Sequence, residues 1–188
     1  MIEIRPAGRA DWRAWLVAHH DHSPGVWLIW RKKGSSASGI TLEEALEEAL
    51  CFGWIDSTLN PINSQLSRLK FTPRRPKSIW SRQNKRRVAS LIRHGLMTDA
   101  GLRVIRAAKS DGSWHALDAV EALVVPDDLA KALAANPGAK QTFDGLSASA
   151  QKSILWSIES AKRSATRSRR IGEAIRRITE QSDRGPSR

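Results

Sequence analysis

The 188-residue sequence has one cysteine, Cys51, no tyrosine, two methionines and three phenylalanines. A single thiol excludes an internal disulfide framework and any multi-cysteine metal site. Without tyrosine, no phenol serves as acid, base or nucleophile. No run of about 18 apolar residues occurs, so no membrane-spanning helix is expected. The opening residues Met1 to Pro6 lack the charged and apolar regions of a secretory leader. Acids are scarce too: 19 Asp and Glu stand against 31 Lys and Arg, a formal charge of +12. The expectation is a basic, cytoplasmic protein with no disulfide partner. Apolar residues, at 40%, suffice for a core. At roughly 100–200 residues per domain, the length fits one domain, or one plus an appendage.

The pattern predicts an α+β fold: a small mixed α/β module with a short antiparallel sheet over residues 1–109, an all-helical module over 110–182, and a frayed tail over 183–188. Ile2 and Ile4 alternate with charges as in an edge strand. Asp11 is placed to cap a helix carrying Trp12, Trp15 and Leu16. Val26 to Trp30 is apolar on both faces, as a central strand requires. Thr41 and Glu44 form a capping box. Behind it Leu42, Ala45, Leu46, Ala49 and Leu50 take one helical face, and Glu43, Glu44, Glu47 and Glu48 the other. Two strands around Asn60 to Asn63 follow, the second with Ser67, Leu69 and Phe71 on one side. Ser81 is a predicted N-cap for a helix burying Val88, Leu91 and Ile92 and ending at Gly95. Thr98 starts another helix. Pro126, at the first helical position, Asn136-Pro137 and Ser147 mark further helix starts.

The strongest physical signal is charge asymmetry. No acid occurs between Asp56 and Asp99, a gap that holds Arg68, Lys70, Arg74, Arg75, Lys77, Arg82, Arg86 and Arg93. At 100° per residue, Arg82, Arg86 and Arg93 share one azimuth of a helix whose N-terminus follows a proline-stiffened basic loop. These eight residues are the predicted anion-binding set. Trp54, Asp56, Trp80, Ser81 and Trp114 lie at turns or junctions and are candidates for lining a pocket. The bland alternative is a solvated basic face paired with the glutamates of the preceding helix, and an Asp56 salt bridge to one of the arginines.

Other groups point to structure rather than chemistry. In His19-His20-Asp21-His22, an extended backbone would turn His20 and His22 to one side, but no further ligands stand at metal-site spacing. No metal and no cofactor is expected. Cys51, between Leu50 and Phe52, reads as a small buried hydrophobe. Arg163, Arg167 and Arg170 flank the last apolar stripe, where arginine stems cover it.

Ordered strings carry a resemblance. They are Gly25-Val26-Trp27-Leu28, Ala49-Leu50-Cys51-Phe52-Gly53-Trp54-Ile55-Asp56 and Phe71-Thr72-Pro73-Arg74-Arg75-Pro76-Lys77-Ser78-Ile79-Trp80-Ser81. Val125-Pro126-Asp127-Asp128-Leu129 and Ser160-Ala161-Lys162-Arg163 extend them into the helical end. Over about Trp12 to Ile178 the chain resembles the bacterial YdeI/OmpD-associated, or bacteriocin-protection, family. Lys70 and Ser113 stand where the family pattern has arginine, which weakens a bidentate anion contact at either place. The resemblance implies a link to bacteriocin or antimicrobial-peptide resistance and carries over no catalytic residue. The reading leans to a non-catalytic binder of nucleic acid or another polyanion, weak and non-specific. The alternative is an enzyme on a small anionic substrate, with a pocket near Trp54, Asp56, Arg74 and Trp80.

Overall fold

The computed structural model describes residues 1–183. The chain forms two compact units, one over Met1–Ala116 and one from Leu117 onward. The first unit holds β1 (Glu3–Ile4), α1 (Arg9–His19), β2 (Val26–Arg31), α2 (Leu42–Cys51), β3 (Trp54–Pro61), β4 (Leu66–Pro73), α3 (Arg82–Arg93) and α4 (Asp99–Ser110). Its sheet runs β1-β2-β4-β3. β1 pairs parallel to β2 and the other pairs are antiparallel, so the expected antiparallel sheet has one parallel edge. The protein is α+β, with this sheet in its N-terminal half and helices throughout the other.

Alternation decides which side of the sheet is covered. Val26 and Leu28 of β2 stand opposite Phe71 and Leu69 of β4, and all four are buried. Ser67 joins them on that face. The other face of β2 is only half covered. Trp27 there lies under the guanidinium of Arg68, 4.9 Å from the ring centroid. The register of β3 against β4 shifts between Asp56 and Leu59, which lets β3 bend away near Asp56.

Helix caps in this unit follow local chemistry, while the start of α1 and the burial of Glu48 and Ile92 depart from the sequence pattern. The capping box of α2 is complete: Thr41 Oγ1 accepts from Glu44 N–H, and the Glu44 carboxylate accepts from Thr41 N–H at 2.9 Å. α1 begins earlier than expected, with Gly8 as N-cap; Asp11 sits inside the first turn and accepts Ala7 N–H at 3.0 Å. Glu48 is not on a solvated face but 1% exposed, because α1 brings Arg9 and Arg13 against it at 2.6 and 2.7 Å. Burial alone would lower both arginines; Glu48, joined by Glu47 at Arg9 and by Cys51 at Arg13, outweighs it and holds them above their ordinary value. In α3, Ser81 caps as expected and Val88 and Leu91 are buried, but Ile92 is 49% exposed. It lies on the rim of the apolar stripe.

α2 and α4 touch through backbone. The Cys51 carbonyl accepts both Thr98 Oγ1–H, at 2.6 Å, and Thr98 N–H, at 3.2 Å. Gly101 faces the same carbonyl so closely that a Cβ there would stand 2.3 Å from the oxygen.

The second unit holds α5 (Asp118–Glu121), α6 (Asp127–Ala134), α7 (Pro137–Gly145), α8 (Ala148–Glu159) and α9 (Ser164–Asp183) around Leu129, Phe143, Leu155, Ile158 and Ile178. Ser147 caps α8, and Pro137 opens α7. Pro126 is the N-cap of α6 rather than its first helical residue. Arg167 pairs with Asp128 at 2.6 Å and Glu159 at 3.0 Å, and Arg170 donates to Ser160 Oγ at 3.0 Å. Those side chains clasp neighbouring elements. Past Asp183, the tail lies outside the described residues. No helix among the described residues is long and apolar enough to cross a membrane, and Cys51 is a free thiol.

Candidate anion pocket

The segment between β4 and α3 is where sequence and structure diverge most. A proline-stiffened basic loop suggests exposed cations, yet Arg74 is 7% exposed. Its backbone N–H donates to the Gly53 carbonyl at 3.0 Å, which extends the β3–β4 pairing and turns the side chain inward. The guanidinium lies 3.7 Å from the ring centroid of Trp80. Nη1 donates to the Ile79 carbonyl at 3.0 Å. Nε and Nη2 are buried with no hydrogen-bond partner among the described residues. Burial lowers the Arg74 pKa to about 10, against a smaller upward pull from the Asp56 charge.

Arg74 lines a cavity of about 130 Å³. That is several times one water's share of liquid volume and well below the roughly 300–1,000 Å³ of drug-sized sites. Trp80, Val104, Ala107 and Ala108 give it apolar walls, and Lys77, Asp111 and Ser113 add polar groups. Ser113 is 6% exposed, and its Oγ has no partner at hydrogen-bond distance among the described residues. The Ser113 side chain and its backbone N–H, at 2.9 Å, hold the Asp111 carboxyl below the usual carboxylate range. Asp111 also accepts Lys77 N–H at 3.2 Å, fixing Lys77 in the left-handed region at φ 63°. Lys77 and Arg75 are exposed at the cavity's outer edge.

The remaining sequence candidates disperse. Trp54 belongs to the core, where its Nε1–H donates to the His20 carbonyl at 3.1 Å and its ring meets Trp15 edge-on. Asp56 forms no ion pair among the described residues; its charge pulls Arg74 and Arg87 upward through space, although burial leaves Arg74 lowered. The Ser81 hydroxyl is committed to Asn84 N–H. Trp114 packs on Trp80, with ring centroids 4.9 Å apart. Arg68 pairs with Glu3 at 2.8 Å on the sheet, away from the loop's cations in the chain. Lys70 is half-buried, and Arg82, Arg86 and Arg93 are exposed on α3 with no ion pair among the described residues. Arg87, beside them in sequence, is tied to Glu43 at 2.7 Å. The histidines sit at the end of α1, not on an extended segment: His19 and His20 engage the Trp15 and Leu16 carbonyls at 2.8 and 2.9 Å. Among the described residues no cluster of three metal-ligating side chains forms.

Ser113, Asp111 and the alanines of α4 were not legible as lining residues. The one available signal was the departure at Ser113 from the arginine of the family pattern.

Fold and pocket together define an α+β protein with a helical second unit and a small, cationic, largely apolar cavity in the first. Residues 4–104 match a family described as a domain of unknown function (DUF8412), more than half of the chain, and the chain belongs to that family. Residues 122–181 match the family described as bacteriocin-protection, YdeI or OmpD-associated. That match supports the resemblance read from the motifs and ties the helical unit to bacteriocin-protection-related proteins; the motif strings of the sheet unit fall within the other family's model. Comparisons with curated proteins and with solved structures gave no match.

Proposed function

We propose that this is a cytoplasmic small-anion-binding protein whose ligand enters the Arg74 cavity, and that binding there underlies its part in a bacteriocin-protection-related process. The observation that carries this reading is the pair of buried, unpartnered Arg74 nitrogens. A buried cation with no paired carboxylate costs several kcal/mol. Stacking on a desolvated aromatic face returns only about 2 kcal/mol. A bound anion supplies the missing charge and hydrogen bonds together. The cavity and its orphan donors favour this over a polyanion surface, because duplex nucleic acid does not fit a space of about 130 Å³.

A thermal-shift series tests the reading. At fixed ionic strength, a ligand present at ~100 times its Kd adds about 2.7 kcal/mol and raises Tm by several degrees. At least one of a panel of small carboxylates and oxyanions should do so for the native protein and not for Arg74→Met. Equal shifts in both proteins would remove Arg74 from the site.

A further inference from the structure

Resting on that reading, the structure narrows the ligand's chemistry. We propose that the cavity takes a monocarboxylate with a short apolar body, its carboxylate on the Nε–H and Nη2–H edge of Arg74 and its body against Val104, Ala107 and Ala108. Three observations converge on this class.

The first is which nitrogens are free. Nη1 is spent on Ile79, while Nε and Nη2 are not. Those two make up the side edge of the guanidinium, whose parallel N–H bonds match the spacing of two carboxylate oxygens. A single planar carboxylate satisfies both orphans at once. The Ser113 hydroxyl, buried at the same cavity near Asp111, can turn to one of those oxygens as a third donor.

The second is charge. Arg74 is the buried cation of the cavity's lining, whereas Arg75, Lys77 and Asp111 are all exposed. One buried positive charge balances one negative charge. A phosphate dianion would bring a second charge inside with no second buried cation to meet it. The third is the wall. Beyond Arg74 and the Ser113 hydroxyl the inner surface is an indole, a valine and two alanines, which leave a phosphate's further oxygens without donors. They suit a few methyl or methylene groups. The volume holds only a small body.

The test uses the full chain with ¹⁵N-labelled arginine and follows the Arg74 Nε–H resonance, assigned by its loss in Arg74→Met. Isobutyrate, acetate and inorganic phosphate are titrated at constant ionic strength. Isobutyrate should move the resonance downfield with saturation. Acetate, lacking the apolar body, should bind roughly 10-fold more weakly, since two buried methyl groups contribute about 0.8 kcal/mol each. Phosphate should leave it unmoved. Arg74→Lys keeps the charge and loses the fork, and should weaken isobutyrate at least ~10-fold while the remaining arginine and amide spectrum stays native. Ser113→Ala should weaken it about 5-fold. Saturable binding of phosphate at Arg74 without carboxylate binding would overturn the ligand class and leave the small-anion reading standing. No movement of Arg74 with any of the three, and no stabilisation by any anion of the wider panel, would overturn both.

Discussion

The Arg74 guanidinium and the Trp80 indole stack 3.7 Å apart although six positions separate them in the chain. The loop between them wraps its own first side chain, since Ile79, just before Trp80, accepts from Arg74 Nη1. The stack closes one side of the cavity and holds the free edge of the guanidinium in place. Trp114 backs the indole from the other end of the unit's sequence. Preorganisation of this kind lowers the ordering cost of binding a small ion.

It follows that the two partners have opposite effects on stability. In buffer without carboxylates, Arg74→Met removes a buried, unpaired charge and fills much the same volume. It should leave stability within about 1 kcal/mol of native, or raise it. Trp80→Ala should cost about 3–5 kcal/mol by emptying a fully buried ring site. Urea denaturation of both variants decides this, and a loss above about 2 kcal/mol in Arg74→Met would show that the charge is already compensated.

Two glycines in helices should behave oppositely. At Gly101 a Cβ would meet the Cys51 carbonyl oxygen at 2.3 Å and its carbon at 2.9 Å, both rigid backbone atoms. Gly101→Ala should therefore cost about 1–3 kcal/mol or more as α2 and α4 are pushed apart. Gly172 in α9 has open space around the same position. There Gly172→Ala should stabilise by about 0.5–1 kcal/mol through lower backbone entropy in the unfolded chain. Thermal melts of the two single variants would show a difference in sign.

Much of the fold was readable because it rests on local rules. The Thr41–Glu44 box, the Ser81 and Thr98 caps and the Ser67, Leu69, Phe71 alternation involve residues within a few positions of each other. The α+β class and the helical C-terminal half followed from such patterns. What was not readable depended on distant partners. Glu48 looks solvated until α1 delivers Arg9 and Arg13, 39 and 35 positions away. Arg74 looks like one cation among eight until β3 pairing turns it inward, and Ser113 has no local feature to connect it with Arg74. The candidate site was thus half visible: Arg74 and Trp80 were named from charge and junction position, while their burial and their apolar walls come from tertiary packing.

In the helical unit, acid should loosen the contact between α9 and α6. Hydrogen bonds from Arg167 hold the Asp128 carboxyl below its ordinary value of 3.8. A carboxylate with a depressed folded pKa contributes stability that is present above the unfolded value and lost as pH falls through the folded one. The native protein should therefore lose stability on going below about pH 4, and Asp128→Asn should show a flatter curve there with a small deficit at pH 7. The pair is partly exposed, so the difference should stay below about 1 kcal/mol. Denaturation midpoints between about pH 3 and 7 measure it; identical curves would remove this pair from the acid response.

Cys51 should be chemically silent in the folded protein. Burial, with a smaller push from the Glu48 charge, raises its thiol pKa to about 11. At pH 8 only about one molecule in a thousand then carries the reactive thiolate. Labelling by a thiol reagent should be slow in buffer and fast in denaturant, and Cys51→Ala should cost only about 1 kcal/mol. Rapid native-state labelling would contradict the packing role.

The exposed arginines of α3 provide the last test, because they separate the pocket from the basic surface around it. Arg82, Arg86 and Arg93 lie in solvent without ion pairs among the described residues, whereas Arg87 is held by Glu43 and Arg74 is buried. If these three meet phosphates of duplex DNA, affinity should fall with salt, and replacing all three with Gln should reduce the log–log slope by roughly 3, at about 0.9 per phosphate contact. No base-reading element is evident, so binding should show little sequence preference. The cavity is lined by other side chains, so the same triple variant should bind isobutyrate like the native protein. Parallel titrations, DNA against salt and isobutyrate against Arg74 Nε–H, separate the two surfaces. An unchanged salt slope would exclude the α3 face from DNA contact. Loss of isobutyrate binding in the triple variant would show that the pocket depends on the charge field around it rather than on the Arg74 fork alone.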